Sequence, residues 1–155
     1  MKKMVGSTSR DFEAETDVEV SGHLSGVTVA SDTALLLEGR VDGGLTVHQG
    51  GMLMVSGDMD ATVDRNEGTI GVSGVLRTPL EAIPGDVIVS AGSTVTVHGR
   101  EMIPGPTGEW LTDADGPLTA SERHALLKWQ GDIERFVPYV EVPADRADHS
   151  WLLWL

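Results

Sequence analysis

The chain reads as a mainly β protein: a short-coil, single-stranded β-helix (β-solenoid) of four to five coils, with a C-terminal α-helix and an aromatic tail. Three observations predict this. Glycine-anchored segments recur as Val18-x-Val20-x-Gly22, Leu35-x-Leu37-x-Gly39, Leu53-x-Val55-x-Gly57 and Ile70-x-Val72-x-Gly74, with a further one at Val95-x-Val97-x-Gly99. The first four glycines are separated by 17, 18 and 17 residues. Within each segment apolar and polar residues alternate, the period-2 mark of a strand with one buried face. A β-sandwich has no need of equivalent residues at a constant period, whereas stacked coils require them. The left-handed β-helix of hexapeptide acyltransferases does not fit, because the aliphatic residues come in two pairs per coil rather than every sixth position.

Residues 1–16 are mostly polar, with Phe12 their one aromatic side chain, and are expected to form an N-terminal cap over the first coil, as an open solenoid end requires. Each unit then carries two apolar runs, Val18/Val20 with Val27/Val29, Leu35/Leu37 with Leu45/Val47, and Leu53/Val55 with a weaker one near Val63. Glycines between the runs supply the corners. Coils stacked about 4.8 Å apart superpose these side chains in columns. Each fully buried aliphatic side chain then contributes roughly 1.5–3 kcal/mol.

The fourth coil departs from the pattern. Gly39 precedes Leu45 by 6 residues, whereas Gly74 precedes Val87 by 13, which predicts an insertion of about seven residues over 77–85. Pro79 and Pro84 cannot donate to a ladder, so this stretch is expected to bulge from the wall, offering Arg77, Leu80 and Ile83 to a partner. The solenoid is placed at 17–103. A Pro-, Gly- and Asp-rich linker follows at 104–118, then a helix and docking tail at 119–155. Thr119-Ala120-Ser121-Glu122 matches a capping box. Leu126, Trp129, Ile133 and Phe136 recur at 3, 4 and 3, predicting one helix from about Ala120 to Phe136. Val137–Val142 reads as extended, and Trp151 and Trp154 belong to an apolar tail that must dock.

The net charge of −13 is concentrated in the repeat, where residues 11–99 hold fourteen acids and three bases, 3 − 14 = −11. Such a surface repels nucleic acid and anionic membranes and attracts a basic protein. Without cysteine there is neither a disulfide nor a thiolate site. The start carries no signal peptide, and no segment approaches the roughly 18 apolar residues of a membrane span. A cytoplasmic protein is expected.

Chemistry-bearing motifs are sparse. Gly71-Val72-Ser73-Gly74 is one residue short of a nucleophile elbow, and Ser21 and Ser56 repeat Ser73 in register. The five histidines lack metal-site spacing, and the Gly-Gly stretches lack the aspartate of calcium-binding coils. No catalytic set, metal or cofactor is assigned, and the protein is expected not to be an enzyme. Asp42 and Asp60 share one outward register with Asp58 beside them, and read as an acidic binding face rather than a catalytic pair. The outward column Glu19, Leu36, Met54, Gly71, Thr96 presents Leu36 and Met54 to the outside, where they need a cover or a partner.

The alternation at 18–29 and the Leu-x-Gly-x-Val-x-Gly-Gly-Leu-x-Val of 37–47 resemble bactofilins. That resemblance, over about 17–99, implies a right-handed β-helix that associates end to end into a cytoskeletal scaffold without nucleotide. The few coils and structured aromatic C-terminus depart from that family's long uninterrupted solenoid. The reading favoured is a small acidic protein-binding module of the immunity type, which neutralises a cognate toxin by binding it. The alternative is a bactofilin-like scaffold that self-associates through solenoid ends or walls.

Overall fold

The structure, a computed structural model, describes residues 2–8 and 11–139. It is a β-solenoid of about five coils. Its strands are β1 (Lys2–Thr8), β2 (Phe12–Ala14), β3 (Val18–Val29), β4 (Ala34–Val47), β5 (Met52–Asn66), β6 (Thr69–Leu76), β7 (Asp86–Ser90), β8 (Val95–Val97), β9 (Arg100–Met102), β10 (Leu126–Gln130) and β11 (Arg135–Pro138). The main sheet runs β1-β3-β4-β5-β6-β7-β10-β11, with β2 alongside β3. Pairing is parallel from β1 to β7 and antiparallel from there to β11. β1 and β2 both pair in parallel with β3 and so continue the sheet of the first anchored coil.

Inward columns follow the repeat. Val20, Leu37, Val55, Val72 and Val89 stack in register and are buried, as are Leu24, Val41, Met59 and Leu76 beyond the corner. The anchor glycines meet a requirement of the stack itself. Gly39, Gly57 and Gly74 have φ of 143°, 140° and 134°, a region almost closed to L side chains. A Cβ on any of the three would overlap the carbonyl oxygen of the anchor glycine in the preceding coil.

There is no insertion at 77–85. Ile70 pairs with Val87 and Val72 with Val89, and 87 − 70 = 17, the ordinary period. The stretch is the far half of its own coil, with a 3-10 turn at Leu80–Ala82 in place of the usual second strand. Sequence comparison misaligned it because Val87 resembles the second-run residue Leu45, although its partner is the first-run residue Ile70. Nor does the stretch bulge. Thr78 Oγ1 donates to Ala61 O at 2.6 Å, Asn66 Nδ2 donates to Pro84 O at 2.9 Å, and Leu80 and Ile83 are buried.

The true break comes one coil later. Position 91, 17 after Gly74, is Ala91, and a Cβ cannot follow the anchor geometry there. Parallel pairing of β6 with β7 ends at Val72↔Val89, and the next parallel bridge, Val75↔Thr94, spans 94 − 75 = 19 residues. β8 then turns through His98-Gly99, both at positive φ, into β9. Val95–Gly99 is therefore half of a hairpin rather than a fifth anchored segment.

The long helix is also corrected. Thr119 does cap a helix, with its side chain accepting from Glu122 N and Glu122 reaching back to Thr119 N, but only Ala120–Arg123 is helical and it buries nothing. From Leu126 burial alternates with period 2, and Leu127 and Trp129 face inward. The unpaired edge of β7 offers a row of ladder hydrogen bonds and a continuing apolar column. Those outweigh a helical stripe that has no facing groove. Leu127 pairs with Val89 and Trp129 with Phe136, while Ile133, assigned to the stripe, is exposed in the β10–β11 turn. Residues 104–118, expected to be a linker, fold back on the same body. Pro104 bridges Trp110, whose ring packs 6.3 Å from Trp129 and edge-on 5.7 Å from Phe136.

Candidate functional site

Asp42, Asp58, Asp60 and Arg77 do come together. The solenoid register places Arg40 beside Asp58 and Asp42 beside Asp60 on neighbouring coils. They form a charge ladder along one corner rather than a bare acidic patch. His23 Nε2 lies 2.7 Å from Asp42 Oδ2, with Arg40 Nε at 3.6 Å. The hydroxyl of Ser25 and then His23, both hydrogen-bonded to Asp42, hold its carboxyl below the usual aspartate value against a smaller opposing effect of burial. Arg77 Nε donates to Asp58 at 3.0 and 3.2 Å, and this carboxylate raises the already high pKa of the guanidinium. Asp60 is exposed and makes no ion pair among the described residues. It is the carboxylate of the trio left open to a partner.

Leu36 and Met54 occupy the outward register yet are buried, at 6% and 0% exposure. With Ala34 and Met52 they form a second small core outside the main one, and Leu126 of β10 packs against it. Ile88 continues their outward column past Gly71 and is buried too. The expected cover therefore comes in part from the C-terminal strand, and this pair is not on the free surface. Trp151 and Trp154 lie outside the described residues.

Leu80 and Ile83, expected on a projecting loop, instead line a cavity of about 350 Å3 together with Trp129. Its rim carries a group that sequence reading missed. His98 Nδ1 lies 3.2 Å from Glu81 Oε2, its Nε2 contacts the Glu134 carboxylate, and its backbone N–H donates to Glu81 at 2.6 Å. With a carboxylate on each ring nitrogen, the doubly protonated imidazolium is favoured, first by Glu134 and then by Glu81, so the His98 pKa is raised. His98 and Glu134 both have left-handed φ, 48° and 50°, and the ion pair joins the two strained turns.

One sequence signal was present for these contacts. Glu81 and His98 lie 17 apart, the period of the regular coils, while His23/Asp42 and Asp58/Arg77 lie 19 apart, that period plus one same-face step. A search at those separations would have found all three. Among the described residues no cluster of three His, Asp or Glu side chains is set to hold a metal ion, and no helix is long and apolar enough to cross a membrane. Comparison with family models, with curated proteins and with solved structures finds no match.

Proposed function

We propose that the protein is a non-catalytic protein-binding module of the immunity type, whose acidic solenoid occludes a basic toxin domain in the cytoplasm. One observation carries the reading. Residues 11–139 hold twenty-one acids against seven bases, 7 − 21 = −14, on a rigid stack whose corners present Asp60 and its neighbours at a fixed spacing. Such a field accelerates encounter with a cationic partner and repels nucleic acid. The test is co-expression with a basic protein encoded beside it. A tight complex whose association rate falls steeply with salt, and is slowed by Asp60→Lys, supports the reading. Absence of a complex with any such neighbour overturns it.

A bactofilin-like scaffold is the second reading, favoured by β1, which pairs with β3 on one side and begins the sheet. At the other end the antiparallel β10–β11 hairpin finishes the stack, which suits pairing of two copies through β1 better than an open filament. Light scattering that gives a monomer at all concentrations excludes this reading.

A further inference from the structure

The two extra residues of the last coil create a turn, and a cavity of about 330 Å3 opens beside it. The turn is closed by Ser93 N–H donating to Ser90 O at 3.1 Å. Around the cavity stand the hydroxyls of Ser73, Ser90 and Ser93, with Gly92, Arg123 and His124.

The hydroxyls form a directed relay. Gly74 N–H donates to Ser93 Oγ at 3.2 Å, and Ser90 Oγ donates to Ser73 Oγ at 2.9 Å. Ser90 has one proton and it is spent on Ser73, so in the 3.0 Å contact between Ser90 and Ser93 the donor is Ser93. The protons therefore run Ser93 to Ser90 to Ser73. The last of them, on half-buried Ser73, meets no acceptor among the described residues.

The bases point the same way. Arg40, Arg65, Arg77 and Lys128 each lie within 3.6 Å of a carboxylate. Arg100, Arg123 and Arg135 have no carboxylate partner among the described residues, in a chain with three times as many acids as bases over 11–139, and of these three only Arg123 lines the cavity. The nearest acid in sequence, Glu122, is turned away, accepting from Thr119 N at 2.9 Å. The stem of Arg123 runs past Gly92, its Cγ 3.9 Å from where a Cβ there would stand. The short helix and its C-cap thus place Arg123 and His124 in the lining of the same cavity as Ser73.

A hydroxyl with a free proton and a guanidinium fork without a carboxylate partner line one cavity, and oxyanions are what such donors recognise. We infer that this cavity binds a small molecule through an oxyanion group, phosphoryl or carboxylate, with Arg123 and Ser73 as its principal donors. The inference is independent of the protein-binding reading above.

The test is a two-dimensional NMR titration of the full chain with inorganic phosphate and, separately, with acetate, at constant ionic strength maintained with chloride. The expected result is saturable shifts at Ser73, Gly92, Ser93 and Arg123 at millimolar concentration. Saturation by phosphate assigns a phosphoryl ligand, and saturation by acetate alone a carboxylate. Arg123 is exposed, so Arg123→Gln should fold normally and weaken binding at least tenfold, with Arg123→Lys recovering part. Ser73→Ala should weaken it several-fold, while Ser56→Ala, one coil away in the same column, should not. No saturable shift with either anion, the same shifts with chloride, or binding indifferent to Arg123→Gln overturns the proposal.

Discussion

The anchored coils of 18–76 and the closing segment of 91–138 use the same inward columns but obey different rules. In the coils each residue's neighbour lies one period away, so local alternation and long-range pairing carry the same information. In the closing segment the partners are set by what the last coil leaves open: an unpaired β7 edge, an apolar column and the aromatic cluster of Trp110, Trp129 and Phe136. A periodic region can therefore be read from its own letters, while a terminating region is read only against the surface that it terminates.

The largest expected effect attacks the periodic half. Gly57→Ala combines a strained φ, about 1–3 kcal/mol, with overpacking against the Gly39 carbonyl, about 1–3 kcal/mol. The variant should lose about 4 kcal/mol in urea denaturation. A loss under about 1 kcal/mol would mean that the stack yields at its anchors. In the closing half, Phe136→Ala empties a fully buried site and should cost about 3 kcal/mol. Exposed Ile133→Ala should stay within about 0.5 kcal/mol. Equal effects at the two positions would restore the helical stripe. Gly99→Ala comes next: φ is 75° but nothing lies within 4 Å of a new Cβ, so only the left-handed cost of about 1 kcal/mol is expected. Comparing it with Gly57→Ala separates backbone preference from the demands of stacking.

The smallest effect concerns pH. His98 has its pKa raised above 6.5 by Glu134 and Glu81. A raised folded-state pKa contributes stability that is complete below the unfolded value and is lost as pH rises through the folded value. An NMR titration of His98 should give a midpoint above 6.5, and His98→Gln should flatten stability over that window. A midpoint at or below 6.5 would show that the clasp between the 3-10 turn and the β10–β11 turn does not form.

Much of the site was legible for the same reason as the fold. The register of Asp42 over Asp60 follows from counting after the anchor glycines. The pairing of Asp42 with His23 and of Asp58 with Arg77 needed diagonal neighbours on adjacent coils, which a column-by-column reading passes over. Leu36 and Met54 were correctly placed on the outer wall, but an outward register says nothing of whether another strand will lie there. Ser73 read as one more serine of a column until the turn at 90–93 brought Ser90 and Ser93 beside it.

By itself the sequence determined the solenoid: its period, its inward columns, its glycine anchors and its acidity. These depend on relations between equivalent positions, which the repeat writes out several times. Tertiary structure alone decided how the stack ends. Leu126–Phe136 carries a three-and-four spacing and a period-2 alternation at once, and an intrinsic helical preference of a fraction of a kcal/mol per residue yields to a waiting strand edge and a buried aromatic cluster. The same applies at Ala91, where one methyl group in place of a hydrogen stops the ladder and opens the turn beside the Ser73 cavity.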